Sequence, residues 1–317
     1  MIILLKYIIA YYWICVTVYK EIIMDSIKAV KTLMDILRFL QKYTPVLTPL
    51  LALTLVLSGI FELATVSARP EEVSKTMVLG ADSWEHSQDI TTDGESYYFT
   101  CKYGIIKTEL DCKTVTVRNA DAIPDDFKVE FGSAHIGGIS YYNGKLYCAV
   151  EDSKVWQHPL IVVYDAATLE YTGEYYHLDA AKHTKGLPWI SVNPETGIIY
   201  CAARDNSTEI MRYDTATQSY LEPIALVNSD PDFNIHKIQG GEVSGGVLYL
   251  ATNDSTQAVF TVDLASGQAD KLFDRNLFSG SEGEGLTILE TEDGAFIHAM
   301  DMSPIFISAY VRHYAAA

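Results

Sequence analysis

One short pattern recurs five times between residues 93 and 302, and it restricts the fold more than any other feature of the chain. The copies read "DGESYYFTCK", "NGKLYCAVED", "TGIIYCAARD", "GGVLYLATND" and "DGAFIHAMDM". Their glycines, Gly94, Gly144, Gly197, Gly246 and Gly294, are 50, 53, 49 and 48 residues apart. Three positions after each glycine stand Tyr97, Tyr147, Tyr200, Tyr249 and Ile297; five positions after stand Phe99, Ala149, Ala202, Ala251 and Ala299. A period of this length means one supersecondary unit per repeat. Each unit is too small to bury its own apolar faces and must stack on its neighbours.

The sequence around each glycine gives the content of the unit. A short β-rich run precedes the turn ("QDITT", "GGISYY", "PWISVN", "GEVSG", "GLTILE"), and another follows it. A third run then ends at an acid, Asp111, Asp165, Asp214 or Asp263, whose short carboxylate can cap the amides of a turn. A fourth run closes the unit, with no helical periodicity between units. The pattern predicts an all-β fold: a five-bladed β-propeller of four-stranded antiparallel blades. The fifth unit has neither the turn acid nor a fourth run after "PIFISAYVRHY". The strand around "SKTMVLG", residues 74–80, is expected to complete it and to remove the open sheet edge.

Residues 1–68 read as a separate N-terminal segment, and 69–317 as the propeller domain. From Tyr43 to Phe61 there are 19 uncharged residues, close to the roughly 20 that cross a bilayer as a helix. Lys28, Lys31, Arg38 and Lys42 precede them, which keeps that side in the cytoplasm. "VSA" at 66–68 has the spacing of a signal-peptidase site. Either a cleaved signal with a mature start near Arg69 or an uncut signal-anchor exports the body. Residues 24–42 add an amphipathic stripe suited to a membrane surface, whereas the apolar opening 1–19 is either a second span or sequence upstream of a start at Met24.

Residues 1–69 carry a net charge of +3, leaving −21 of the total −18 on the rest. Such a body repels phosphate backbones and excludes nucleic acid as a partner. Cys101, Cys112, Cys148 and Cys201 fall within β-rich runs and form no C-x-x-C pair, so buried thiols are expected.

The runs "LIVVYDAATLEYTGEYYHL" and "EIMRYDTATQSYLEPIAL" resemble repeats of the bacterial YVTN/quinoprotein-like propellers, in which an aspartate and a threonine mark the outer turn. "EGEGLT" and "HIGGIS" are similar to strand openings of the SMP-30/gluconolactonase-like and SdiA-regulated propellers. The resemblance spans about residues 75–317 and implies the fold. By analogy with the gluconolactonases, it also implies a divalent cation held by Glu284, Asn253 and Asp301.

In a propeller the innermost strands line the axis, and the loops entering them share one face with the loops between second and third strands. The repeat register therefore names the rim. Ahead of the inner strands come His86, Gln88 and Asp89; His135; Lys185 and Trp189; Gln239 and Glu242; Glu282 and Glu284. Seven or eight positions past each turn glycine come Cys101 and Lys102; Glu151 and Asp152; Arg204 and Asp205; Asn253 and Asp254; Asp301 and Met302. A ligand on this face is expected to meet His86, Asp89, His135, Asp152, Trp189, Arg204 and Asp205. The oxygens of Glu242, Asn253, Asp254, Glu284 and Asp301 suit Ca²⁺ as a cofactor. Trp156 and His158, in a long loop, are placed to overhang the face.

There is no G-x-S-x-G elbow, H-E-x-x-H helix or Walker-type glycine loop. The sequence thus points to an exported or membrane-tethered binding module for a small molecule, a glycan or a protein. The alternative is a metal-dependent hydrolase of lactonase or phosphoesterase type, with His135, Glu284 and Asp301 as catalytic candidates. Between enzyme and module the sequence does not decide.

Overall fold

A computed structural model describes residues 72–153 and 155–316, so the readings made on residues 1–71 lie outside the described residues. It begins with strand β1 (Glu72–Leu79) and a single 3-10 helix, Gly80–His86. Four complete blades follow. The first is β2 (Ile90–Thr92), β3 (Tyr97–Thr100), β4 (Ile105–Thr108) and β5 (Val115–Asn119). After helix α1 (Asp125–Glu130), the second is β6 (His135–Tyr142), β7 (Lys145–Glu151), β8 (Leu160–Asp165) and β9 (Tyr171–His177). The third is β10 (Ser191–Val192), β11 (Ile199–Cys201), β12 (Glu209–Asp214) and β13 (Ser219–Ala225). The fourth is β14 (Ile238–Ser244), β15 (Val247–Thr252), β16 (Ala258–Asp263) and β17 (Ala269–Asp274). The fifth holds β18 (Glu282–Ile288), β19 (Ala295–Met302) and β20 (Ser308–Ala315), and its outer strand is β1.

Every ladder is antiparallel, so the chain forms a five-bladed propeller of four-stranded blades. The closing strand is the one the sequence left over: Thr76 pairs with Val311 and Val78 with Ala309. The repeated glycines serve one backbone need. Gly94, Gly144, Gly197, Gly246 and Gly294 all have positive φ, between +73° and +89°, in the tight turns that join first and second strands. The outer-turn acids also act as read. The Asp111 carboxylate accepts from the Lys113 and Thr114 amides at 2.8 Å, and that of Asp165 from Ala167 and Thr168 at 2.9 Å.

Each seam between blades has its own apolar core, built from the tyrosine and small-residue columns. Tyr147, Ala149, Ile190 and Val192 fill the seam between the second and third blades. Trp189, Tyr200, Ala202, Val243 and Leu248 fill the next. The four cysteines among the described residues are free thiols, three of them buried.

Around the axis the inner strands are stitched by hydrogen bonds from one blade's backbone to the preceding blade's side chain. Tyr141 N donates to Thr91 Oγ1 (3.1 Å), Val192 N to Ser140 Oγ (2.9 Å) and Val243 N to Ser191 Oγ (2.9 Å). In the next seam the acceptor is a carboxyl, Glu242, which takes the Ile288 amide and the Thr287 hydroxyl (2.6 Å). Its Oε2 also lies 3.5 Å from the Thr91 hydroxyl, linking the fourth, fifth and first blades.

Close approach of the backbones explains the glycines of these strands. A Cβ on Gly138 would lie 2.5 Å from the Trp189 Cα, and one on Gly240 would lie 2.3 Å from the Gly285 Cα.

Candidate functional site

At one mouth of the ring lies a cavity of about 230 Å³, lined by Gln88, His135, Glu151, Ser153, Trp156, Lys185, Pro188, Arg204, Gln239, Glu282 and Glu284. All five blades or the loops leading into them contribute. Eight of these residues belong to the rim register read from the repeat. Ser153 and Pro188 do not, since neither sits at a repeated position.

The second blade builds one wall. His135 opens β6, and its Nε2 lies 2.8 Å from Gln88 Oε1, tying the loops of two blades. Its Nδ1 is 3.2 Å from Glu151 Oε1, but off the line that a hydrogen bond requires. Glu151 is nearly buried, and its Oε2 accepts from the Leu187 amide at 2.9 Å. Gly186 makes room for that carboxylate: a Cβ there would stand 2.1 Å from Oε2. Asp152 accepts from the Gln157 amide at 2.9 Å and so shapes the loop that carries Trp156. It organises the wall without lining the cavity.

The third blade supplies the cations. Lys185 Nζ pairs with Asp205 at 3.1 Å, and Lys185 is largely exposed. Arg204 makes no side-chain hydrogen bond or ion pair among the described residues, and its Nε is shielded from solvent without a partner. On the fifth blade Glu282 is exposed, whereas Glu284 is 4% exposed. Burial pushes the Glu284 carboxyl well above the usual carboxylate range, and the neighbouring Glu282 adds to the effect. Gln239 Nε2 lies 3.5 Å from the Glu284 Oε2.

Other rim candidates are placed elsewhere. His86 belongs to the 3-10 helix and is buried, its ring nitrogens 2.8 and 2.9 Å from the carbonyls of Asp82 and Cys112. Asp89 is also buried and bridges two blades, accepting from the Ile90 (2.9 Å) and Ile139 (3.0 Å) amides. Trp189 is fully buried in the seam between third and fourth blades. It does not face the mouth, because the missing side chain of Gly241 leaves room for the indole in the seam: a Cβ there would be 2.9 Å from two ring carbons.

The five proposed metal ligands are likewise dispersed. Asn253 Oδ1 accepts from the Gly283 amide (3.1 Å), and Asp254 Oδ1 caps the turn at Thr256 (2.9 Å). Asp301 is clamped by Arg312, at 2.6 Å from Nε and 3.2 Å from Nη2. Glu242 belongs to the axial stitching, and of the five only Glu284 reaches the cavity. Among the described residues no three His, Cys, Asp or Glu side chains are grouped to hold a metal ion, so these donors do not fit one coordination sphere.

Glu242 yields a pH prediction. Burial pushes its carboxyl up to about 8, against the opposing hydrogen bonds from Thr287 and Thr91. Folded above unfolded, its stabilising contribution is complete below about 4.5 and is lost as pH rises towards 8. His183 and His313, which burial pulls down to about 4, act in the opposite sense, contributing fully above 6.5 and failing as pH falls. Between pH 6.5 and 8 the carboxyls therefore dominate, and unfolding free energy should decline. Glu242→Gln should make that slope shallower by about 1.4 kcal/mol per pH unit. Urea titrations across this range, with an unchanged slope in the variant, would contradict the assignment.

No protein-family model matches the sequence, and no curated protein matches it. Among solved structures the chain is similar to one in a nidogen/laminin complex, with TM-score 0.43 and 15% identity over 62% of this chain and 66% of that one. It is also similar to a bifunctional GH43-CE protein of Bacteroides eggerthii (TM-score 0.48, 14% identity, 77% of this chain and 36% of the other). A third likeness is to a chain of the mitotic checkpoint complex (TM-score 0.42, 8% identity, 79% and 94%). The chain spans less than two thirds of the first two.

Proposed function

We propose that this chain is an exported or membrane-tethered binding module, with its ligand site in the mouth cavity of the propeller. The observation that carries the reading is the convergence of all five blades on one recess lined by opposed charges. Its volume lies below the 300–1,000 Å³ typical of drug-sized ligands. That size suits a compact polar molecule or the terminal group of a larger partner. The walls are held before any ligand arrives: the Leu187 amide fixes Glu151 and the Gln157 amide fixes Asp152. Export and tethering rest on the apolar run from Tyr43 to Phe61, and the YVTN-type turns fit an exported propeller.

Thermal-shift screening of the full chain against small sugars, organic acids and amino acids tests the reading. A true ligand at one hundred times its Kd should add about 2.7 kcal/mol of stability. That gain should disappear in Gln239→Leu and Trp156→Ala, which alter the walls. Stabilising compounds that ignore both variants would place the binding site elsewhere and overturn the reading.

A hydrolase reading has one observation in its favour. Glu284 is a buried carboxyl lining the cavity, and burial raises its pKa in the direction a general acid needs. Turnover of a lactone or phosphoester that Glu284→Gln abolishes would select it over the module.

A further inference from the structure

We infer that the cavity takes a small polyhydroxy acid, a uronate either free or at the end of an acidic glycan, with its carboxylate on Arg204. The inference rests on the mouth cavity being the ligand site and adds the class of ligand. Arg204 carries it. Its side chain lines the cavity and has no hydrogen-bonded acceptor or ion pair among the described residues, and a shielded guanidinium left so is destabilising. Glu284 feels its charge across the cavity without a hydrogen bond to it, and two nearer acids are engaged. Asp205, the next residue, goes to Lys185 at 3.1 Å, and Glu151 accepts from the Leu187 amide at 2.9 Å. A ligand carboxylate in the cavity would supply the guanidinium with a charge-assisted acceptor.

The remaining lining selects among anions. Lys185 is already paired, and the Glu282 and Glu151 carboxylates also face the cavity, so a phosphate dianion would meet one open cation among fixed negative charges. A monoanion is favoured. Gln88, Gln239 and Ser153 present neutral donors and acceptors that match hydroxyl groups, and Trp156 and Pro188 offer apolar surface to the C–H face of a sugar ring. A neutral sugar would use those walls but bring no counter-charge to the Arg204 guanidinium.

Calorimetric titration of the full chain with galacturonate and glucuronate, against galactose, glucose and inorganic phosphate, tests this. The uronates should bind roughly 10- to 100-fold more tightly than the neutral hexoses, the range of one charge-assisted hydrogen bond. Arg204→Met should erase that advantage, and Arg204→Lys should keep part of it while folding normally. A further gain with acidic oligosaccharides identifies the glycan as the source; the free acid alone identifies a metabolite. Either result supports the class. Equal binding of uronate and hexose, both weakened by Gln239→Leu, would refute the acid while leaving the mouth as the ligand site. Phosphate binding that depends on Arg204 would also refute it. Absence of binding by all these compounds at millimolar concentration refutes the acid as well. The separate screen with wall variants then decides whether the mouth binds anything.

Discussion

Arg312→Met should lower the unfolding free energy by about 3–5 kcal/mol, the range for removing one partner of a buried ion pair. Arg312 is 5% exposed and holds Asp301, itself 1% exposed, through two nitrogens. A third nitrogen lies 3.2 Å from Glu72 Oε2 on the closing strand, and the guanidinium packs over the Tyr310 ring. Methionine keeps much of the volume but leaves the Asp301 carboxylate buried without its counter-charge. The double variant Asp301→Asn with Arg312→Met should recover most of the loss, since a neutral pair carries no orphaned charge. Guanidinium unfolding measures both. A single variant within about 1 kcal/mol of wild type would show that the pair does not secure the closure.

Gly240→Ala should cost about 3 kcal/mol, the upper range for forcing extra atoms into packed structure. The added carbon would stand 2.3 Å from the Gly285 Cα, 2.8 Å from the Leu286 amide nitrogen and 2.9 Å from the Gly285 carbonyl carbon. All three are backbone atoms of β18, so no side-chain rotation relieves the clash. The inner strands of the fourth and fifth blades must separate, and the neighbouring stitch from Glu242 to Thr287 would lengthen. Gly246→Ala is the control: φ is +79° with nothing within 4 Å, so its penalty is conformational and about 1 kcal/mol. Equal effects in thermal melts of the two variants would mean that the axis is looser than described.

The architecture was legible because its determinants are local and repeated. Positive φ at Gly94, Gly144, Gly197, Gly246 and Gly294 leaves a mark that no tertiary context is needed to read. The missing fourth strand of the fifth unit was equally visible, and Glu72–Leu79 fills it. The rim register placed Gln88, Glu151, Lys185, Arg204 and Glu284 at the cavity because β-strand alternation carries positions from one blade to the next.

Where the reading failed, contacts across blades decided the outcome. Trp189 precedes a strand of only two residues, and the space above Gly241 takes its indole into the seam. Asp301 has the register of a rim acid, but Arg312, on the neighbouring strand β20, faces it. His86 lies in a turn of 3-10 helix, too short to leave a periodic signal in the sequence. Helix α1, six residues between the first two blades, was invisible for the same reason. Glu242 stands where other blades carry serine or threonine, so its part in the stitching needed the axis itself to be seen.

The most direct test of the account is a cysteine pair across the closure, Val78→Cys with Ala309→Cys. These residues are register partners on β1 and β20 and share a small buried cluster with Met302. Mild oxidation of the folded protein should join them in a disulfide that reverses with reductant and raises the melting temperature, which places residues 78 and 309 side by side at the last blade. If both thiols stay open to maleimide in the folded protein and no intramolecular bond forms, the ring is not closed by this strand, and the mouth cavity built on that closure does not exist as described.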